Sequence, residues 1–229
     1  MSNPQPQHTN RQYEEELRGL RTRLLKMGGM VERQIADAVD SLVSRNSDEA
    51  REVIARDAEV NRMDIDIDAM CIRLLALRQP AAGDLRFITT GLKINYDLER
   101  IGDLAVNVCE RALELNQEPI VKPYIDIPRI ASIAESMVKD SLDAFLRGDC
   151  DLAEAVIERD EEVDHLNGQI FRELLTYMAE DRDAISRGAR ILFVSKYLER
   201  IADHASNIAE MVVFMVKGKT IRHMDKSKP

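Results

Sequence analysis

Apolar residues return every three or four positions along most of this chain, and prolines cut that pattern into long blocks. The prolines stand at 4, 6, 80, 119, 123, 128 and 229. Between them the periodicity predicts six helices, over about 11–45, 48–77, 84–116, 128–147, 150–180 and 184–217. The punctuation agrees. Asn46-Ser47-Asp48 offers a stop, an N-cap candidate and a first-turn acid, Gly148-Asp149 ends one helix and caps the next, and Gly218 stops the last. With Leu98 set at 0°, residues Ile94, Leu98, Ile101, Ala105 and Val108 fall between about 280° and 360° of a helical wheel, one apolar stripe.

The pattern is written twice. Residues 98–110 and 198–210 agree at eight of thirteen positions, an offset of 100. Upstream the offset is 103: Val53 to Val60 matches Val156 to Val163, and Glu32, Asp37 and Asp40 match Glu135, Asp140 and Asp143. The loss of three positions falls at the turn between the second and third helix of each copy. One amphipathic hairpin cannot close a core, whereas three helices can. The expected fold is therefore all-α: two tandem, pseudo-symmetric three-helix bundles, at 11–118 and 129–218, joined by a Pro-rich linker at 119–128, with flexible tails at 1–10 and 219–229.

Opposite the apolar stripe lies candidate chemistry. Glu99, Asp103, Asn107 and Glu110 sit between about 100° and 180° on the same wheel, and Glu199, Asp203 and Asn207 repeat the first three. The second helix of the first copy carries Asp57, Asn61, Asp64 and Asp68, and its counterpart carries Asp160, Asp164 and Asn167. Like charges at i,i+4 destabilise a bare helix by a few tenths of a kcal/mol. Repeating that arrangement in register is best explained by a bound cation. If the two helices of each copy pack antiparallel, their stripes face each other across a surface groove. An oxygen-only set suits hard cations such as Mg²⁺, Ca²⁺ or Mn²⁺, and also iron, rather than zinc. The plain alternative, a solvated acidic face, is what most single stripes are. Arg100 and Arg200 most simply cover the neighbouring helix with their aliphatic stems.

Composition narrows the function classes. The formal net charge is −9, from 41 acidic and 32 basic residues, which speaks against a nucleic-acid binder. Three widely spaced cysteines, Cys71, Cys109 and Cys150, form no Cys-x-x-Cys pair, so neither a disulfide framework nor a zinc site is expected. The N-terminal ten residues lack a signal-peptide apolar core, and the most apolar stretch, Ile208 to Val216, is too short to span a bilayer. The expected location is the cytoplasm.

These motifs resemble the PhoU family of phosphate-uptake regulators. The likeness is carried by Leu98-Glu99-Arg100-Ile101-Gly102-Asp103 and Leu198-Glu199-Arg200-Ile201-Ala202-Asp203-His204. Arg78-Gln79-Pro80 with Asp84-Leu85-Arg86, and Lys217-Gly218-Lys219 with Ile221-Arg222-His223, add to it. Ala202 departs from the glycine usual there. The resemblance spans about residues 12 to 223. It implies two three-helix bundles and metal ions, Mg, Mn or Fe, in sites that are often multinuclear. It further implies as ligands Asp57, Asn61, Glu99 and Asp103 in one bundle and Asp160, Asp164, Glu199 and Asp203 in the other. Asp64, Asn107, Asn167 and Asn207 are additional candidates. It also implies a negative regulator of the phosphate-starvation response, without catalytic activity, that links the phosphate ABC transporter to a sensor histidine kinase. A homodimer is a candidate assembly.

Two other readings stand beside this one. A carboxylate-bridged di-metal enzyme needs two Glu-x-x-His motifs in a four-helix core. Here Glu162-x-x-His165 has only Glu59-x-x-Arg62 as its counterpart. No Ser-His or Cys-His arrangement and no Gly-rich phosphate loop appears. A metal-free helical adaptor is the second.

Overall fold

The computed structural model describes residues 7–219, with side chains from residue 11 onward. Among them are six long α-helices and no strand: α1 (Gln7–Val43), α2 (Ser47–Arg78), α3 (Ala82–Leu115), α4 (Asp126–Arg147), α5 (Cys150–Glu180) and α6 (Ile185–Lys217). Helices α1–α3 pack on one another, as do α4–α6. Helix α3 also packs along α6 and α1 against α4, so the two bundles lie side by side over one continuous apolar core. The close approach of α1 and α4 has a local cause. A Cβ at Gly28 would stand 2.1 Å from Leu142 Cδ1, so any larger residue there would force the Leu142 side chain to move.

The repeat reappears as repeated local structure. Asn46 caps α2 by accepting from the backbone N–H of Asp48 and Glu49, and Asp149, 103 positions on, caps α5 by accepting from Leu152 N–H. The residues just before these caps, Arg45 and Gly148, both adopt left-handed backbone, φ 59° and 63°. The Arg56–Asp37 ion pair between α2 and α1 recurs as Arg159–Asp140 between α5 and α4, at 2.6 Å in the second copy.

Two expectations need correction. Helix α1 begins at Gln7, inside the segment expected to be a tail, and α4 begins at Asp126, inside the expected linker. Pro128 did not delay α4, because a proline in the first turn lacks only an N–H that has no intrahelical partner there anyway. A short 3₁₀ turn, Arg182–Ala184, leads into α6. The expected tail beyond residue 219, with Ile221, Arg222 and His223, lies outside the described residues.

Candidate metal centre

Residues at equivalent positions of α3 and α6 hydrogen-bond across to the facing stripe in each bundle. Asn95 on α3 donates through Nδ2 to Asp64 Oδ1 (2.6 Å) and to the Asp64 carbonyl (3.0 Å) on α2. In the second copy Ser195 Oγ on α6 donates to Asn167 Oδ1 on α5 (2.6 Å). Residues 95 and 195 sit one turn before Glu99 and Glu199. The polar edge of α2 therefore faces that of α3, and α5 faces α6 in the same way.

In the first bundle Asp57 is nearly buried, at 9% exposure. It accepts from Gln34 Nε2 (3.2 Å) and from Asn61 Nδ2 (2.8 Å). Burial raises the Glu99 pKa above its ordinary value, and the charges of Asp103, Asp64 and Asp57 add to that, while Arg100 opposes it. Arg100 lies 3.0 Å from Asp103 Oδ2 and 3.4 Å from Glu99 Oε2. Burial also raises Asp64, with Asp68 adding to the effect and the Asn95 hydrogen bond working against it. Asn107 lies half-buried one turn beyond Asp103.

The second bundle is similar but not identical. Glu199, 8% exposed, holds Lys196 Nζ at 2.6 Å from each carboxylate oxygen. Desolvation pushes Asp203 up, and Glu199 and Asp164 push it further, against Lys196 and His204. His204 itself bridges the bundles, its Nδ1 2.7 Å from Asp97 Oδ1 on α3. Asp160 and Asn167 line α5 half-buried, and Asn207 does so on α6.

Thus Glu99 lies in the field of Asp103, Asp64 and Asp57, to the last of which Asn61 is hydrogen-bonded, and Asp203 lies in the field of Glu199 and Asp164. Among the described residues no three His, Cys, Asp or Glu side chains stand close enough to hold a metal ion as they are placed. The donor chemistry nevertheless fits a hard cation: crowded carboxylates, among which burial holds Asp64, Glu99 and Asp203 above their ordinary pKa values, with a cationic side chain lodged on each set. The glycine of the first motif fits the same picture. A Cβ at Gly102 would stand 3.2 Å from Asp57 Oδ1 and 3.3 Å from Gln34 Oε1.

Stripe periodicity alone did not find Gln34, Asn95, Ser195, Lys196 or the Asp97–His204 pair. Asn95 and Ser195 had a signal, being polar residues at the repeat offset on otherwise apolar helix faces. Gln34 and Lys196 had none, since their counterparts are Met137 and Tyr96.

The architecture and its paired acidic faces define an all-α protein of two repeated three-helix units, with no helix among the described residues long and apolar enough to cross a membrane. The chain belongs to the PhoU family: the PhoU domain matches twice, at residues 24–112 and 127–212. It is 45% identical over 218 residues to the phosphate-specific transport system accessory protein PhoU homolog of Pseudomonas aeruginosa, covering 95% of this chain and 90% of that one. To the phosphate-specific transport system accessory protein PhoU of Escherichia coli K12 it is 39% identical over 217 residues, with the same coverage. Among solved structures it resembles the crystal structure of PhoU from Pseudomonas aeruginosa (TM-score 0.88, 46% identity, 90% of this chain and 100% of that one). It also resembles the phosphate transport system regulatory protein PhoU from Streptococcus pneumoniae (TM-score 0.85, 28% identity, 91% and 99%).

Proposed function

We propose that this protein is a non-enzymatic regulator of phosphate uptake. It holds the phosphate-starvation response off by coupling the phosphate ABC transporter to a sensor histidine kinase at the cytoplasmic side of the membrane, with a homodimer as its working assembly. The observation that carries the reading is the nearly full-length likeness to accessory proteins of phosphate transport, at 45% identity over 95% of the chain. The site supports a metal-dependent form of it. Glu99 and Asp103 with Asp57, Asn61 and Asp64, and Glu199 and Asp203 with Asp160 and Asp164, would hold hard cations, Mg, Mn or Fe. Such a cation supplies positive charge that relieves the mutual repulsion of these acids.

Deletion of the gene is expected to switch on phosphate-scavenging genes in phosphate-rich medium, read with a reporter. Replacing Glu99, Asp103, Glu199 and Asp203 by Ala is expected to lose repression in a protein of unchanged helical content, and to lose metal measured after purification. A deletion strain that stays repressed overturns the regulatory reading. A quadruple variant that represses normally and melts slightly higher makes the stripes solvated surface and overturns the metal reading alone.

A further inference from the structure

The duplication lets the two carboxylate stripes be compared position by position. Glu99 and Asp103 recur as Glu199 and Asp203, and the order acid, amide, acid at Asp57, Asn61 and Asp64 becomes acid, acid, amide at Asp160, Asp164 and Asn167. These candidate ligand positions therefore carry equal charge in the two bundles. A difference lies three residues before each motif glutamate, where the first copy has Tyr96 and the second Lys196. On a helix that spacing puts the side chain beside the glutamate.

Tyr96 keeps the cation of the first stripe at its outer edge. Arg100 Nε donates to the Tyr96 hydroxyl at 3.2 Å, and its guanidinium carbon stands 5.2 Å from the ring centroid. Held there, Arg100 Nη1 donates to Asp103 Oδ2 at 3.0 Å, an acid whose side chain is 39% exposed. Glu99 has only the longer contact of 3.4 Å. Solvent screens a pair so exposed. Lys196 instead sits on the inner acid. Its Nζ stands 2.6 Å from both oxygens of Glu199, whose side chain is 10% exposed. An ammonium is a compact point charge, and here it occupies the two oxygens that Glu199 would offer a hard cation. The lysine has room to move away. It is exposed, and it borders an open groove between α5 and α6 beside Asn167, Gly168 and Phe171.

We propose that Lys196 is a tethered counter-ion that a metal ion must displace from Glu199, so that the second stripe binds metal more weakly than the first and fills only at higher metal concentration. Tyr96 leaves Glu99 open to the ion, because it draws Arg100 towards the outer acid. A hydrogen bond to a charged group is worth about a decade or more in an equilibrium constant, which sets the expected gap between the stripes. The inference rests on the metal-dependent form of the regulatory reading and adds a graded response to it: one stripe loaded at low metal, both at high.

Calorimetric titration of the chelator-treated full chain with Mn²⁺, at constant pH and ionic strength, tests it. The stripes are read separately in two backgrounds: E199A/D203A leaves the first, and E99A/D103A leaves the second. The first is expected to bind at least tenfold tighter. Lys196→Met is expected to tighten the second at least tenfold and to leave the first unchanged, a selective gain that a lysine with a merely structural role would not give. Tyr96→Lys, at an exposed position, places an ammonium beside Glu99 and is expected to weaken the first stripe at least tenfold. If either background folds poorly, the single variants keep the test decisive through melting temperature: a fixed, subsaturating Mn²⁺ concentration should raise the melting temperature of Lys196→Met more than that of the unmodified protein, and that of Tyr96→Lys less. Equal affinity of the two stripes, or Lys196→Met or Tyr96→Lys binding and melting like the unmodified protein, would each overturn the proposal and leave the metal reading standing. No Mn²⁺ bound by any of these proteins would overturn the metal reading and the proposal with it.

Discussion

Single side chains decide how the two copies of the motif differ. Gly102 and Ala202 occupy equivalent positions on α3 and α6, and both are buried. Alanine is the better helix former by about 1 kcal/mol. At position 102, however, a methyl group would press on the Asp57 carboxylate at 3.2 Å, the Gln34 amide at 3.3 Å and Val60 at 3.4 Å. The first two hold each other by a hydrogen bond, so neither yields freely. Overpacking of this kind costs about 1–3 kcal/mol. Gly102→Ala is therefore expected to lower stability by about 1 kcal/mol net in denaturant titration. In the second bundle the neighbour equivalent to Gln34 is the flexible Met137. A double-mutant cycle of Gly102→Ala with Gln34→Met should show a favourable coupling of about 0.5 kcal/mol or more. Additive behaviour would mean that Gln34 does not restrain the Asp57 side chain.

The elements themselves were legible because helix signals are local. Apolar periodicity, the Asp149 cap and Gly148 are written within a turn or two of where they act, while the cap of α2 fell on Asn46, one residue before the expected Ser47. Most helix ends fell within two residues of expectation, whereas α1 ran four residues further towards the N-terminus, through Gln7 to Asn10. What sequence could not show is what a side chain does at long range, and Arg45 illustrates it. Its φ of 59° places a non-glycine residue where its counterpart Gly148 is comfortable. Such a conformation costs roughly 1–2 kcal/mol. The compensation comes from about 70 residues away: one guanidinium nitrogen, Nη2, donates to the carbonyls of Asn116 and Glu118, each at 2.7 Å, closing the end of α3. Hydrogen bonds from a charged donor contribute about 1.5–3 kcal/mol. Arg45→Gly should thus lose more than it gains, for a net loss of about 1 kcal/mol. Arg45→Ala keeps the strain and loses the bonds, so it should fall about 1 kcal/mol lower still. Thermal melts of the three proteins give the order. If Arg45→Gly were the most stable, the guanidinium contacts would contribute little.

At the scale of the whole molecule the repeat creates an interface that neither bundle has alone. Helices α1 and α4, equivalent in the two copies, meet between the bundles, and the duplication brings like charges together there. Glu32 and Glu135 are equivalent residues, both half-buried. Burial raises the Glu32 pKa first, then Glu135, with Asp143 and Asp140 adding to it and Lys139 opposing. Burial likewise raises Glu135, with Asp40 adding and Lys139 opposing. The sequence supplied the matched acids but not their meeting, because a repeat does not say which of its faces are shared. The consequence for pH follows from proton linkage. These groups bind protons more tightly folded than unfolded, so across the window from the ordinary glutamate pKa of about 4.3 up to their raised folded values the native state holds more protons. Their contribution favours the fold at low pH and is lost as pH rises through that window, leaving a residual cost at neutral pH. Glu16 acts in the opposite sense: the Arg78 hydrogen bond lowers its pKa, so its contribution is present above the ordinary value and lost as pH falls. Converting Glu32 and Glu135 together to Gln keeps the shape and removes the charge. The double variant should melt higher than the unmodified protein at pH 8, and the gap should shrink as the pH approaches 5. Equal melting temperatures for the two proteins at pH 8 would show that solvent already screens these acids at the seam between the bundles.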